Sequence, residues 1–161
     1  MSKFWYSAVF FYYFLLFTFA SSITALEMLP APPVALAPNL QTKTLIASTS
    51  AAVAFSSLYD IRKLYKDSLQ NKIAESGADA NWFKYFGTVL YYLGRPLFAA
   101  LFSLLVFLGS KLSVLFMTAQ GTAITEGFFY VNVIASCYAG ILTGRLVKQL
   151  EAQAEHQINK L

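Results

Sequence analysis

Charge is scarce in this sequence, and so are the residues of metal and redox chemistry. It holds one cysteine, Cys137, and one histidine, His156. That excludes an intramolecular disulfide and leaves no His/Cys set with metal-ligand spacing. Cys137 reads as a small packing residue, and His156, in a polar tail, as a solvated one. Only 12% of the residues are charged while 57% are apolar, against roughly 25% and 45–50% in soluble domains, so lipid is the expected solvent. No nucleophile elbow, no glycine-rich phosphate loop followed by Lys-Ser/Thr and no paired-histidine motif occurs. The expectation is a non-catalytic protein without cofactor or metal. At 161 residues the chain has room for one membrane domain and no separate soluble one.

The long apolar runs fall at 4–26, 44–59, 96–117 and 126–144, which predicts an all-α polytopic membrane protein with four spans. The first run, Phe4–Leu26, carries no charge over 23 residues, enough to cross roughly 30 Å of hydrocarbon. Trp5 and Tyr6 beside Lys3 suit an interfacial anchor. The competing reading is a signal peptide cleaved near Ala20-Ser21-Ser22, which would leave three spans. Residues 27–43, with Pro30, Pro32, Pro33 and Pro38, read as an extended external linker.

The second span, 44–59, is short and rich in Ala and Ser, which suits a helix enclosed by other helices. Ile61, Leu64, Tyr65, Leu69 and Ile73 then recur at helical spacing, so this helix is expected to continue as an amphipathic segment to about residue 76, with Gly77 as its stop and Asp79 capping the next helix. Residues 80–94 read as an interfacial aromatic helix. Pro96, suited to a first turn, is expected to start the third span, the runner-up being one long helix from Ala80. A polar loop, 118–125, precedes the fourth span, and residues 145–161 read as a polar helical tail.

The excess of basic residues, net +4, is accounted for by topology. With the N terminus inside, Lys3, Arg62, Lys63, Lys66, Lys72, Lys84, Arg95, Arg145, Lys148 and Lys160 are cytoplasmic, and only Lys43 and Lys111 lie outside. That matches the positive-inside bias and removes the reason to invoke nucleic acid. Both termini are expected in the cytoplasm, with a bacterial inner membrane as the expected location.

Two small-residue stripes stand out. Asn132, Ser136, Gly140 and Gly144 recur every four residues on one face of the fourth span, a surface for close helix–helix approach, with a neighbouring helix of the same chain as the favoured partner. Asn132 is expected to make one interhelical hydrogen bond. Ser48, Ala52 and Ser56 form a second stripe, compatible with helix packing or a pore lining. No acidic residue falls inside the expected spans, which argues against ion-coupled transport. Of the boundary charges, Lys111 and Glu126 are expected to pair across the outer hairpin, and Arg145 to offset the C-terminal helix dipole. Arg95 has anionic lipid as its first expected contact and Asp60 or Asp67 as alternatives.

These features point to an accessory or assembly subunit whose partners are the bilayer and other membrane subunits or copies of itself. The alternative is a small homo-oligomeric pore or membrane-perturbing effector.

Overall fold

A computed structural model describes residues 3–29, 39–69, 82–117 and 126–158. They form four α-helices, α1 (Lys3–Met28), α2 (Leu40–Leu69), α3 (Trp82–Met117) and α4 (Glu126–Ile158). Three are long and apolar enough to cross a membrane, through Ser7–Met28, Tyr92–Val114 and Glu126–Leu146. The protein is an all-α, polytopic membrane protein.

The fourth helix, α2, is too poor in apolar side chains to qualify by composition, and its packing explains why it need not. It touches α1, α3 and α4, whereas α3 and α4 also pack on each other. Its residues Ala47, Ser48, Ala51, Ala52, Ala54, Ser56, Ser57 and Asp60 are buried. A helix enclosed by protein is not selected for contact with lipid, and small side chains let three neighbours approach it. The large apolar residues are turned outward instead. Phe11, Leu15 and Phe19 of α1, Leu97, Leu101 and Leu105 of α3, and Val131, Ile134 and Tyr138 of α4 are all exposed, as suits a surface meeting hydrocarbon or another apolar helix.

The helix ends differ from the sequence expectation in ways that have local causes. Asn39 follows the proline-rich segment and caps α2: its Oδ1 accepts from the Thr42 amide at 2.8 Å and the Thr42 hydroxyl at 2.9 Å. A capping asparagine satisfies donors that have no intrahelical partner, which allows α2 to begin at Leu40 rather than at residue 44. At the other end of the linker, Glu27 and Met28 complete α1. The prolines themselves, Pro30 to Pro38, lie outside the described residues, as do Ile73, Gly77, Asp79 and the 118–125 loop.

The larger correction concerns α3. The expected break before Pro96 does not occur, and one helix runs through it from Trp82 to Met117. Proline inside a helix removes one backbone donor and leaves the carbonyl four residues earlier without its partner. That carbonyl belongs to Tyr92, and the Tyr13 hydroxyl of α1 donates to it. A tertiary contact thus repairs the helix at the point where the sequence alone suggests an interruption. The helical tail likewise continues α4 without a break to Ile158.

Candidate functional site

The interior contains nearly as much polar as apolar side chain. Along α1 the buried positions Val9, Tyr13, Ala20 and Glu27 form one stripe against α2. Val9 and Tyr13 pack with Leu64, with Tyr12, Ile61 and Tyr92 at the edge of the cluster. Nearer the other end, the Thr24 and Ser50 hydroxyls hydrogen-bond at 2.8 Å. These contacts fix α1 antiparallel to α2 and bring Tyr13 level with Asp60.

At that level the four helices share one polar cluster. Arg95 of α3 forms an ion pair and hydrogen bond with Asp60 of α2, and both side chains are nearly fully enclosed, at 3% and 1% exposure. The Tyr13 hydroxyl lies beside the same carboxylate while donating to the Tyr92 carbonyl. From α4 the contribution is empty space. A Cβ placed on Gly144 would collide with the terminal nitrogen of the Arg95 guanidinium, would lie 3.0 Å from its central carbon and would meet the Tyr59 ring at 3.6 Å. Gly144 is therefore the slot that admits the guanidinium between α2, α3 and α4.

Removing two ions from water costs several kcal/mol each even after relaxation, and their attraction offsets this only with close geometry and further hydrogen bonds. The Gly144 slot gives the guanidinium the room for that close geometry, with the Tyr13 hydroxyl beside the carboxylate. Arg95 lies within the apolar span of α3 and Tyr13 within that of α1, so the pair belongs to the membrane part of the protein. Asp60 lies one residue beyond the expected second span, 44–59, and is nevertheless enclosed by the helices, and Arg95 is turned into the protein rather than toward lipid phosphate.

The second locus is the seam between α2 and α4. Ala47 and Ala51 pack on Phe129 and Val133. About two turns along α4 from Val133, Gly140 lies directly against the Ala52 backbone, where an added Cβ would overlap the carbonyl oxygen and sit 3.1 Å from both the carbonyl carbon and the Cα. Only glycine permits that approach of two backbones. Ser136 is turned slightly aside, toward α3, where its hydroxyl accepts from Ser103 at 2.9 Å. Asn132, Ser136, Gly140 and Gly144 are all buried within the chain, as are Ser48, Ala52 and Ser56.

Asn132 does not make the interhelical bond expected of it. Its amide nitrogen donates at 2.9 Å to the Phe128 carbonyl of its own helix, and its side-chain oxygen has no hydrogen-bond partner. The expected outer pair is also not formed: the ion pair found among the described residues is Arg95–Asp60, and Lys111 and Glu126 do not meet. Lys43 instead reaches the Leu29 carbonyl at 3.4 Å and stands 5.6 Å from the centre of the Phe129 ring. Arg145 is exposed at the far end of the span.

Tyr13 is the residue that sequence reasoning missed, whereas Asp60, named as an alternative partner of Arg95, is the partner found. Tyr13 is one aromatic among ten within residues 4–19, and nothing local distinguishes it. The usable signal was Pro96, since a proline inside a continuous apolar run implies a freed carbonyl and hence a donor elsewhere. No protein-family model, curated protein or solved structure matches the chain.

Proposed function

We propose that this chain is a non-catalytic accessory or assembly subunit of a membrane complex, acting through helix–helix contacts. The observation that carries this reading is the division of its surfaces. Small and polar faces are used inside the chain, at Gly140–Ala52, Ser103–Ser136 and Asp60–Arg95. What remains outside is broad and apolar, notably the Phe11, Phe14, Leu15 and Phe19 face of α1. A helix pinned to its own bundle along one stripe and aromatic along the other can be held by lipid and by partner helices.

The competing reading, a pore assembled from several copies, is less well supported. A lining made of Ser48 and Ser56 requires those side chains to face a shared axis, and both are enclosed within a single chain. We further place both termini in the cytoplasm of a bacterial inner membrane, because ten of the twelve basic residues then lie on that side.

The test is purification in mild detergent from the native membrane, with crosslinking before solubilisation. Stoichiometric recovery with a different membrane protein, lost when Phe11, Phe14 and Phe19 are changed together to alanine, supports the accessory role. A closed ring of identical chains contradicts it.

A further inference from the structure

Apart from Glu27 Oε1 near the end of α1 and Asp60 Oδ2 at the ion pair, two enclosed oxygens of the described residues have no hydrogen-bond partner: Oγ of Ser48 and Oδ1 of Asn132, both on residues with 0% exposure. Their neighbours show how unusual this is. Thr44, Ser50, Ser57 and Thr143 are also buried, and each hydroxyl donates to a carbonyl three or four residues back in its own helix, at 2.7–3.1 Å. Ser48 does not use that local acceptor. In lipid there is no bulk water to satisfy such a group, and leaving a hydroxyl or amide oxygen unpaired costs about 1–3 kcal/mol.

The register of the helices places the two oxygens at about the same level. The Asp60–Arg95 pair aligns antiparallel α2 and α3; twelve residues from Asp60 is Ser48, and twelve residues from Arg95, in the matching direction, is Phe107. The Ser103–Ser136 bond aligns α3 and α4; four residues from Ser103 is again Phe107, and four residues from Ser136 is Asn132. Phe107 is buried, with its ring edge-on to Phe128 at 6.2 Å. Ser48 lies between Ala47 and Ala52, which face α4, and Asn132 lies one turn from Ser136, which faces α3. Both side chains therefore belong to the interior where α2, α3 and α4 meet.

We infer that this interior holds a buried water site, formed by Ser48 and Asn132 over the Phe107 ring, in which water accepts from or donates to the serine hydroxyl and donates to the asparagine oxygen. Ser48 and Asn132 do not bond directly, so a water-sized bridge is the arrangement that pairs both oxygens at once. Buried water in proteins occupies such places, where polar groups of the fold would otherwise be unsatisfied. Water is preferred over a cation because neither Ser48 nor Asn132 brings a charge to offset one in hydrocarbon. The site is about one helical turn from the middle of the α3 span, roughly 6 Å along the axis, so it is water held deep in the membrane. Together with the Ser103–Ser136 hydroxyls it continues the polar interior that ends at Asp60, Arg95 and Tyr13. This inference rests on the internal packing and is independent of the accessory-subunit reading.

The experiment is water-edited solid-state NMR on the full-length protein in lipid bilayers, with asparagine and alanine labelled. Magnetisation from water is expected to reach the Asn132 side chain about as early as exposed Asn39, while Ala20, buried in the contact of α1 with α2, lags. In Ser48→Ala, which removes the hydroxyl with little change of shape, the early transfer to Asn132 is expected to be lost while the Asn39 and Ala20 signals keep their timing. An Asn132 side chain that lags with Ala20 in the unmodified protein overturns the proposal. So does early transfer that survives unchanged in Ser48→Ala, because Ser48 would then not hold the water.

Discussion

Replacing Gly140 by alanine adds a single methyl group at the tightest point between α2 and α4. Its Cβ would overlap the Ala52 carbonyl oxygen and sit 3.1 Å from two further Ala52 backbone carbons. Unstrained carbon contacts lie near 3.5–4.0 Å, so the helices must part by roughly 0.5 Å or more. Backbone cannot move aside as the end of a side chain can. Overpacking of this kind costs about 1–3 kcal/mol, and the better helix propensity of alanine returns up to about 1 kcal/mol, which leaves a net loss of about 1–2 kcal/mol. For a chain of this size that corresponds to a fall in melting temperature of about 2–8 °C. The assay is thermal unfolding of the detergent-solubilised protein, read by the loss of its monodisperse size-exclusion peak. Gly109→Ala is the matched control, because a Cβ there meets nothing within 4 Å, and it should leave the midpoint unchanged or slightly raised. Gly140→Leu should prevent the seam from closing. Equal midpoints for Gly140→Ala and Gly109→Ala would refute the close-packing argument.

Tyr13→Phe keeps the ring and removes the hydroxyl that serves the Tyr92 carbonyl; a loss of about 1–3 kcal/mol is expected in the same unfolding assay, and a neutral result would mean that α3 does not need this donor. Because Val9 and Tyr13 are core residues of the α1–α2 contact, α1 should be retained in the mature protein, and an intact mass beginning after Ser22 would contradict its place in the core. In a Cys137→Ala background, Ala35→Cys should react with an impermeant thiol reagent on intact cells and Gln70→Cys only after permeabilisation; the reverse pattern would overturn the proposed orientation.

The helical, membrane-spanning architecture was legible from apolar run length and the scarcity of charge, since both are properties of single segments. The stripe of Asn132, Ser136, Gly140 and Gly144 was legible for the same reason, because four-residue spacing already specifies a face. What it packs against was not, and Gly144 shows why. Its spacing suggests close backbone approach, yet its neighbour is a guanidinium 35 residues from the acid it pairs with. The continuity of α3 was hidden because the donor that repairs it, Tyr13, lies 79 residues from Tyr92. Asp60 was named only as an alternative partner of Arg95 because it follows a short apolar run, whereas its enclosure comes from three other helices. Local pattern therefore identified the elements, and long-range polar pairing decided how they join.

The enclosed Asp60–Arg95 pair is the joint on which this arrangement rests, and a double-mutant cycle tests it most directly. Asp60→Asn and Arg95→Met would each leave one partner buried without its counterpart, at an expected cost of about 3–5 kcal/mol. The double variant should cost clearly less than the two together, a coupling of at least about 1 kcal/mol for residues in direct contact. Single variants with midpoints close to that of the unmodified protein, or strictly additive losses, would show that the two side chains do not meet inside the membrane.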